Sequence, residues 1–580
     1  MERFLNILYP NRAPDGLPPS EPDKLGSFSI DEGRPLKVII VGAGFTGVTA
    51  AIGFQRHVPN VDITVYEKNG GVGGKWYTHA YPGLTSDIPS HCYQLSFEPK
   101  TDWSSFYASP PEILSYINHL VSKYDLASRI QPRHQLMHAR WDAPTSKWHV
   151  YLQRPSETST TGFEEFEDTA DVLFSAMGAF SKWHWPDIEG LSKFKGQMFH
   201  AATWERKRSW HTEMDNWGQK TVGVIGIAES GVHLVPAIQP RVKHLYNYVQ
   251  EQTYISPPLG SDILTELTEG DVALNNYSFT EEEKKRFSKA ETYDVFVHRL
   301  EDSLNSIFSS TSNGREIQNA AKKAFKKNML KRLEKKPWIA DHLIPEFGPG
   351  CQHLPPGPGY LEALCADNVD FVPTDIKRIT EDGVELTDDT HHPLDILICA
   401  TGYTTTYTHP CPIVGLNNTH LSAKWNPHPR TYLSVCVDEF PNFFLAEGPG
   451  SGVEGAGAGL VGVVEGQVGY AVEVVGKMGR ERLGSVVVKK EAVRAFDEYR
   501  KRYFSKEYTQ SSNGKTKERW EESQWPGSHL HALTALSHPR WEDFDYTPLD
   551  NAQHTLYWLG DGSTVNEKTM TGDGRCMVSR

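Results

Sequence analysis

From Leu36 onward the chain alternates between short apolar runs and stretches with helical spacing. Leu36 to Val41 (LKVIIV) is an apolar, β-branched run closed by glycines, as a strand buried on both faces should be. After the glycines, Val48, Ala51 and Phe54 recur at helical spacing, and a second strand, VDITVYEKN, follows. Strand, glycine turn, helix, strand is a βαβ unit. The same order returns in KTVGVIGIAESGVHLVPAI, Lys220 to Ile238, about 180 residues after the first. The pattern predicts an α/β protein with two Rossmann-type units.

Other stretches fill in the organisation. Between Phe279 and Lys336 the spacing predicts helices with charged faces, read as a helical insertion in the second unit. The late apolar run GAGAGLVGVVEGQVGYAVEVVG is interrupted by Glu465 and Gln467, which predicts a buried helix rather than a membrane span. Residues up to about Arg34 are rich in proline and polar groups and read as an extension. The 580-residue chain carries a formal net charge of −14, which argues against nucleic acid as a partner. Its 7 cysteines are scattered, without a Cys-x-x-Cys pair. That usage predicts a reduced, cytoplasmic protein without a metal site.

The first glycine turn carries the clearest chemistry. Gly42, Gly44 and Gly47 form G-x-G-x-x-G, with Phe45 opening the helix. Gly42 permits the tight turn, Gly44 the approach of a pyrophosphate, and Gly47 close helix–strand packing. The helix N-terminus then meets the phosphates. Glu67 ends the next strand, 20 residues after Gly47, where a carboxylate accepts hydrogen bonds from a ribose hydroxyl and disfavours a 2′-phosphate. FAD or NAD is expected; a glycine turn in an unrelated α/β protein is the bland alternative.

The next segment, GGVGGKWYTHAYPGLTSDIPSHCYQLSF, closely resembles the flavin-embracing segment of Baeyer–Villiger monooxygenases, a branch of the class B flavoprotein monooxygenases. The resemblance implies that Lys75, Trp76, Asp87, Ile88 and Tyr93 lie around FAD. FKGQMFHAATW places Phe194, Gly196, His200 and Trp204 at that family's F-x-G-x-x-x-H-x-x-x-W spacing. There the histidine sits on the connection between the nucleotide domains, so His200 is assigned structure and coupling, not chemistry. LDILICATGY, FFLAEGPGSG and the stretch Trp525 to Tyr546 resemble later family segments, so the likeness runs from about Leu36 to Tyr546. It implies an N-terminal extension (1–35), an FAD-binding domain in two parts (36–185 and 391–580), and an inserted NADPH-type domain (186–390) with its helical insertion at about 279–336.

Two positions depart from the family pattern. Gly226, Ser230 and Gly231 form the second turn and are expected at a nucleotide, but Ala228 holds the second glycine position. After the following strand the family has an arginine for the 2′-phosphate of NADPH; here stand Gln250 and Glu251, with Lys243 or His244 as alternative sources of charge. In GPGCQHLPPGPGYLEAL, Gln352 and His353 replace two basic residues, the second of which is the family's catalytic arginine. The family pairs that arginine with the aspartate at Asp87, so Asp87 and His353 are expected as a catalytic proton-transfer pair.

Three functions fit. The first is an FAD-dependent monooxygenase with weakened or altered NADPH use, acting with molecular oxygen on a polyketide- or terpenoid-like natural-product intermediate. The second is an NADPH-independent flavoenzyme of the same fold: an oxidase or dehydrogenase, or a redox-neutral isomerase or cyclase. The third is a flavin-binding protein without catalysis.

Overall fold

The structure is a computed structural model that describes residues 26–178, 183–204, 214–270, 276–312, 315–349, 354–402, 411–452, 459–505, 523–549 and 556–569. Two five-stranded parallel sheets organise them. In chain order their strands are β1 (Leu36–Val41), β2 (Val61–Glu67), β3 (Ile130–Pro132), β4 (Val172–Ser175), β5 (Gln197–His200), β6 (Thr221–Ile225), β7 (His244–Tyr248), β8 (Val369–Val372), β9 (Ile396–Cys399) and β10 (Phe443–Leu445). The first sheet runs β10-β4-β1-β2-β3 and the second β8-β7-β6-β9-β5. Val38 pairs with Ile63 in the first and Val222 with Leu245 in the second. Both central strands are buried, as their apolar runs require.

The helices that matter for the site are α1 (Phe45–His57), α2 (Glu229–Ile238), α3 (Ala290–Ser312), α4 (Arg315–Arg332), α5 (Tyr360–Leu364) and α6 (Gly459–Arg480). Helix α1 follows the first glycine turn and α2 the second. Helix α6 is the buried helix expected from the late apolar run, and it packs closely on α1: a Cβ at Gly53 would lie 2.9 Å from Val468 Cγ1. The polar residues that interrupt its run are bonded. Gln467 accepts from the Glu447 N–H and donates to the Ser434 carbonyl, and Glu465 accepts from the Ser96 N–H. No helix among the described residues is long and apolar enough to cross a membrane.

Three features differ from the sequence reading. Strand β9 is hydrogen-bonded between β6 and β5, inside the second sheet. The chain therefore returns to the first unit after Cys399, not at 391, because the buried run ILIC completes the second sheet before the turn. The helical insertion serves both cores. Phe279, Phe287, Tyr293, Leu300 and Leu304 pack into the core of the first unit, whereas Met329 of α4 packs into that of the second. An antiparallel sheet built on Gln135–Asp142, Lys147–Pro155 and Phe163–Ala170 is spliced between β3 and β4. Its alternating burial is the ordinary half-buried strand pattern.

The residues just before β1 are anchored. Arg34 is 4% exposed; its guanidinium donates to Asp171 Oδ1 at 2.8 Å and twice to the Leu483 carbonyl. Lys147 also reaches Asp171 at 2.8 Å. Burial pushes the Asp171 carboxyl up, but Arg34, Lys147 and the Lys37 N–H together hold its pKa below the ordinary value. Breaking a buried pair commonly costs about 3–5 kcal/mol; Arg34→Met should cost roughly 2–3 kcal/mol, because Lys147 stays with Asp171. Because the folded-state pKa is depressed, this stability is complete above the ordinary aspartate value of 3.8 and is lost as pH falls through the lowered one. Denaturant unfolding at neutral pH reads the deficit, and an unchanged midpoint would show that the pair contributes nothing.

Candidate active site

Both glycine turns solve one steric problem. Gly42 has φ +104° and Gly226 φ +106°, in the region that favours glycine. A Cβ on Gly42 would sit 2.4 Å from the Ala176 carbonyl oxygen, and one on Gly226 2.5 Å from that of Ala400. Helix α1 closes so tightly on the turn that a Cβ at Gly47 would lie 1.9 Å from the Gly42 oxygen; the same approach at Gly231 is 2.6 Å from the Gly226 oxygen. In the second unit the Asn247 amide donates to the Gly226 carbonyl and is itself held by the Tyr360 hydroxyl.

Gly44 is different. Among the described residues a Cβ there would meet only Gly74, at 3.5 Å from its Cα. Gly73 and Gly74 turn back over the first loop with positive φ, and the Gly73 N–H donates to the Ala43 carbonyl. Two glycine backbones thus face each other across a groove that side chains would fill. Glu67 braces its rim: one carboxylate oxygen accepts from the Ala43 N–H at 2.8 Å, the other from the Asn69 backbone and side chain. A carboxylate offers about four acceptor positions, which leaves capacity for a ribose hydroxyl.

The segment after Gly74 forms the next wall. The Trp76 indole donates to the Tyr93 hydroxyl at 2.7 Å, their rings meet edge to face, and Phe45 packs on Tyr93. Ile88 is buried beside them. Lys75 stands 4.7 Å from the Trp76 ring. Its side chain is exposed to solvent. Desolvation by the surrounding protein works against its charge, but Tyr93 and the carboxylates of Glu229, Asp87 and Glu447 outweigh it and hold the pKa above that of an ordinary lysine. Glu447 also accepts from the Thr46 hydroxyl in the first turn of α1.

Asp87 has a partner that the sequence did not announce. Its Oδ1 lies 3.0 Å from Nε2 of His233, on α2 of the second unit. His233 is 6% exposed. Burial lowers its pKa, but the charge and hydrogen bond of Asp87, with Glu229 behind, raise it above the ordinary histidine value. His233 falls two residues after Gly231 and four after Glu229, on one helix face, and that spacing was the available signal. Its expected counterpart, His353, lies outside the described residues, as does Gln352.

In the second unit Ser230 is buried in the first turn of α2. Ala228 is exposed, with ordinary φ, just before that helix. Glu229 is the first residue of α2. Gln250 and Glu251 follow β7 and are exposed. Lys243 and His244 stand at the opposite end of that strand, roughly 20 Å from Gln250 at the usual rise per residue, and His244 is paired with Asp370 at 3.0 Å. The linker histidine, His200, is buried; its Nδ1 accepts from the Ala202 N–H, Nε2 faces the Thr401 hydroxyl, and Trp183 covers the ring. Gly196 is required because a Cβ would lie 2.4 Å from the Asp395 oxygen, and Trp204 stacks on Phe199. Among the described residues no group of His, Cys, Asp and Glu could hold a metal ion.

Comparison with known proteins agrees with the fold. Residues 40–109 match the model for an NAD(P)-binding Rossmann-like domain. The chain is 34% identical to the FAD-binding monooxygenase tazF of Aspergillus terreus over 93% of this chain and 94% of that one. It is 28% identical to the FAD-binding monooxygenase moxY of Dothistroma septosporum over 92% and 83%. Among solved structures, an oxidised steroid monooxygenase bound to NADP superposes with a TM-score of 0.72 at 25% identity, covering 89% of this chain and 99% of that one. OTEMO in complex with FAD and NADP shares the fold, with a TM-score of 0.73 at 23% identity over 89% and 100%.

The residues present fit FAD: a groove between Gly44 and Gly74 that a Cβ would fill, Glu67 at its rim, and Lys75 beside the Trp76 ring. Gly44→Val should therefore fold but purify without flavin, whereas Gly47→Val, driven into the Gly42 carbonyl, should lose fold and flavin together. Flavin absorbance per protein and circular dichroism separate the two; full flavin content in Gly44→Val would overturn the groove as the cofactor path.

Proposed function

The chain belongs to the FAD-dependent monooxygenases of the Baeyer–Villiger type, and from that premise we propose an oxygenation with weakened NADPH selectivity in which Asp87 and His353 carry the proton movements. The substrate we infer is a small organic natural-product intermediate, polyketide- or terpenoid-like. FAD, when bound, supplies the electrons with which molecular oxygen delivers one atom to an organic substrate. Glycine backbone and the N-terminus of α1 would hold its phosphates, Glu67 its ribose, and Lys75 with the Trp76–Tyr93 pair would enclose it.

One observation carries the reading of the second unit: Glu229 opens α2. A helix N-terminus receives phosphate through free N–H groups and a positive dipole end. A carboxylate there opposes a second anion, and the Ala228 side chain adds bulk where a glycine would leave room. Beyond β7, Gln250 and Glu251 offer no cation to a 2′-phosphate. Losing one charge-assisted contact weakens binding by roughly 1.5–3 kcal/mol, about ten- to a hundredfold. The same observation favours the second reading, in which the substrate itself reduces FAD, or the reaction is redox-neutral.

For His353, support comes from its place in the chain. Directly after it, the Leu354 carbonyl accepts from the Ser256 hydroxyl, and Gly357 packs against Val232, the neighbour of His233. The His353 ring takes and returns a proton near neutral pH, and Asp87 supplies the charge that favours its protonated form.

Anaerobic addition of NADPH tests the cofactor reading. FAD should bleach only at high NADPH, with NADH nearly as effective. Fast bleaching at micromolar NADPH, with NADH far slower, would overturn it; no bleaching by either, with bleaching by substrate, would select the second reading. His353→Ala should abolish turnover with FAD retained, and His353→Gln should fare nearly as badly, since it cannot carry a proton. Normal turnover of His353→Ala would remove the residue from the mechanism.

A further inference from the structure

The segment between β2 and the helix Pro110–Lys123 belongs by chain order to the first unit, yet part of it is docked on the second. Tyr81 packs in the core of the second unit with Val232 and Val235. Gly83, with φ +79°, lies so close to α2 that a Cβ would sit 2.3 Å from the His233 carbonyl oxygen and 2.9 Å from the Ala237 Cβ. Four residues on, the Asp87 carboxylate meets the His233 ring at 3.0 Å. One residue of α2 therefore touches the segment twice, through its backbone at Gly83 and through its side chain at Asp87. Nδ1 of His233 is buried and has no hydrogen-bond partner among the described residues, so the Asp87 bond is what the described surroundings provide to fix the ring.

We propose that His233 is the positioning residue of Asp87: reaching across from the second nucleotide unit, its imidazole ring orients the carboxylate and ties that carboxylate to the position of helix α2. This rests on the reading of Asp87 as a functional group of the flavin cleft. A shift of α2, by ligand binding or by relative movement of the units, then alters the geometry of Asp87 directly.

The pair stands in a defined charge environment. On its own helix His233 faces Glu229; from the segment around the flavin groove it faces Asp87 and Lys75. From α5, which packs on α2, Tyr360 is engaged by Asn247 and Glu362 by Arg332. Asp87 and Glu229 favour the charged ring, while burial and Lys75 oppose it, and the balance lies above the ordinary histidine value of 6.5. Because the folded pKa is raised, the ionic bond is complete below that value and is lost as pH climbs through the raised one.

The test is titration of histidine-labelled, oxidised holoenzyme by NMR, with the His233 signal assigned by its loss in His233→Gln. In the wild type His233 should titrate above 6.5. In Asp87→Asn, burial remains but the charge is gone, so the value should drop by about one unit or more. Steady-state pH profiles supply a second readout. His233→Gln keeps a donor for Asp87 without the charge; it should retain FAD, lose the alkaline limb assigned to the ring, and lower kcat about tenfold with little change in KM. An unchanged His233 titration in Asp87→Asn, or a pH profile of His233→Gln superimposable on the wild type, overturns the proposal. The titration uses neither NADPH nor substrate, so its outcome is independent of whether His353 is required or NADPH reduces the flavin.

Discussion

At Gly83 the backbone of the flavin-side segment comes so near helix α2 that a Cβ there would stand 2.3 Å from the His233 carbonyl oxygen. Much of the arrangement of the cleft follows from that close approach. The segment must line the groove beside α1, where Gly74 faces Gly44, and within about ten residues must also fill part of the core of the second unit through Tyr81. A chain that serves two cores cannot move with one alone. Its side chains at Lys75, Asp87 and Tyr93 are thereby placed where the two units meet, the usual location for a ligand cleft in such folds.

The charges in the cleft follow from the same meeting of elements. Lys75 and His233 bring positive charge and Asp87, Glu229 and Glu447 negative: Lys75 and Asp87 come from the segment after the first glycine turn, Glu229 and His233 from α2, and Glu447 from just after β10. Isolated burial would neutralise such groups. Grouped, the carboxylates favour the charged forms of Lys75 and His233 and hold both pKa values above the ordinary ones, although Lys75 opposes the charge on His233. The arrangement also couples the units electrostatically, because Glu229 and His233 ride on α2 while Lys75 and Asp87 ride on the segment after the first glycine turn.

The two glycine turns share a backbone solution and differ in chemistry. Gly42 and Gly226 have nearly the same φ, and each presses on the carbonyl of an alanine after a neighbouring strand. Only the first keeps a glycine where a pyrophosphate must approach; the second has Ala228 and then Glu229. Steric demand within the fold preserves the outer glycines of both turns, since a Cβ would collide with backbone there. The middle position meets no such internal demand, so its identity reports on the ligand and not on the fold.

The sequence alone determined what depends on local pattern. The apolar β-branched runs and glycine spacing specified both βαβ units, Glu67 at the end of β2, the buried α6, and the family of the chain, because buried parallel strands and tight turns restrict residue type position by position. The spliced antiparallel sheet is not legible in the sequence, since half-buried alternation over short strands is a weak signal beside the glycine turns. Whether Ile396–Cys399 ends one unit or begins the next was a matter of hydrogen-bonding partners, which β5 and β6 decided. Tertiary structure also decided that Arg34 is buried against Asp171 and that the helical insertion divides between both cores. It alone brought His233 to Asp87, 146 positions earlier in the chain, because a contact between two units depends on how their faces meet and leaves no periodic trace in either segment.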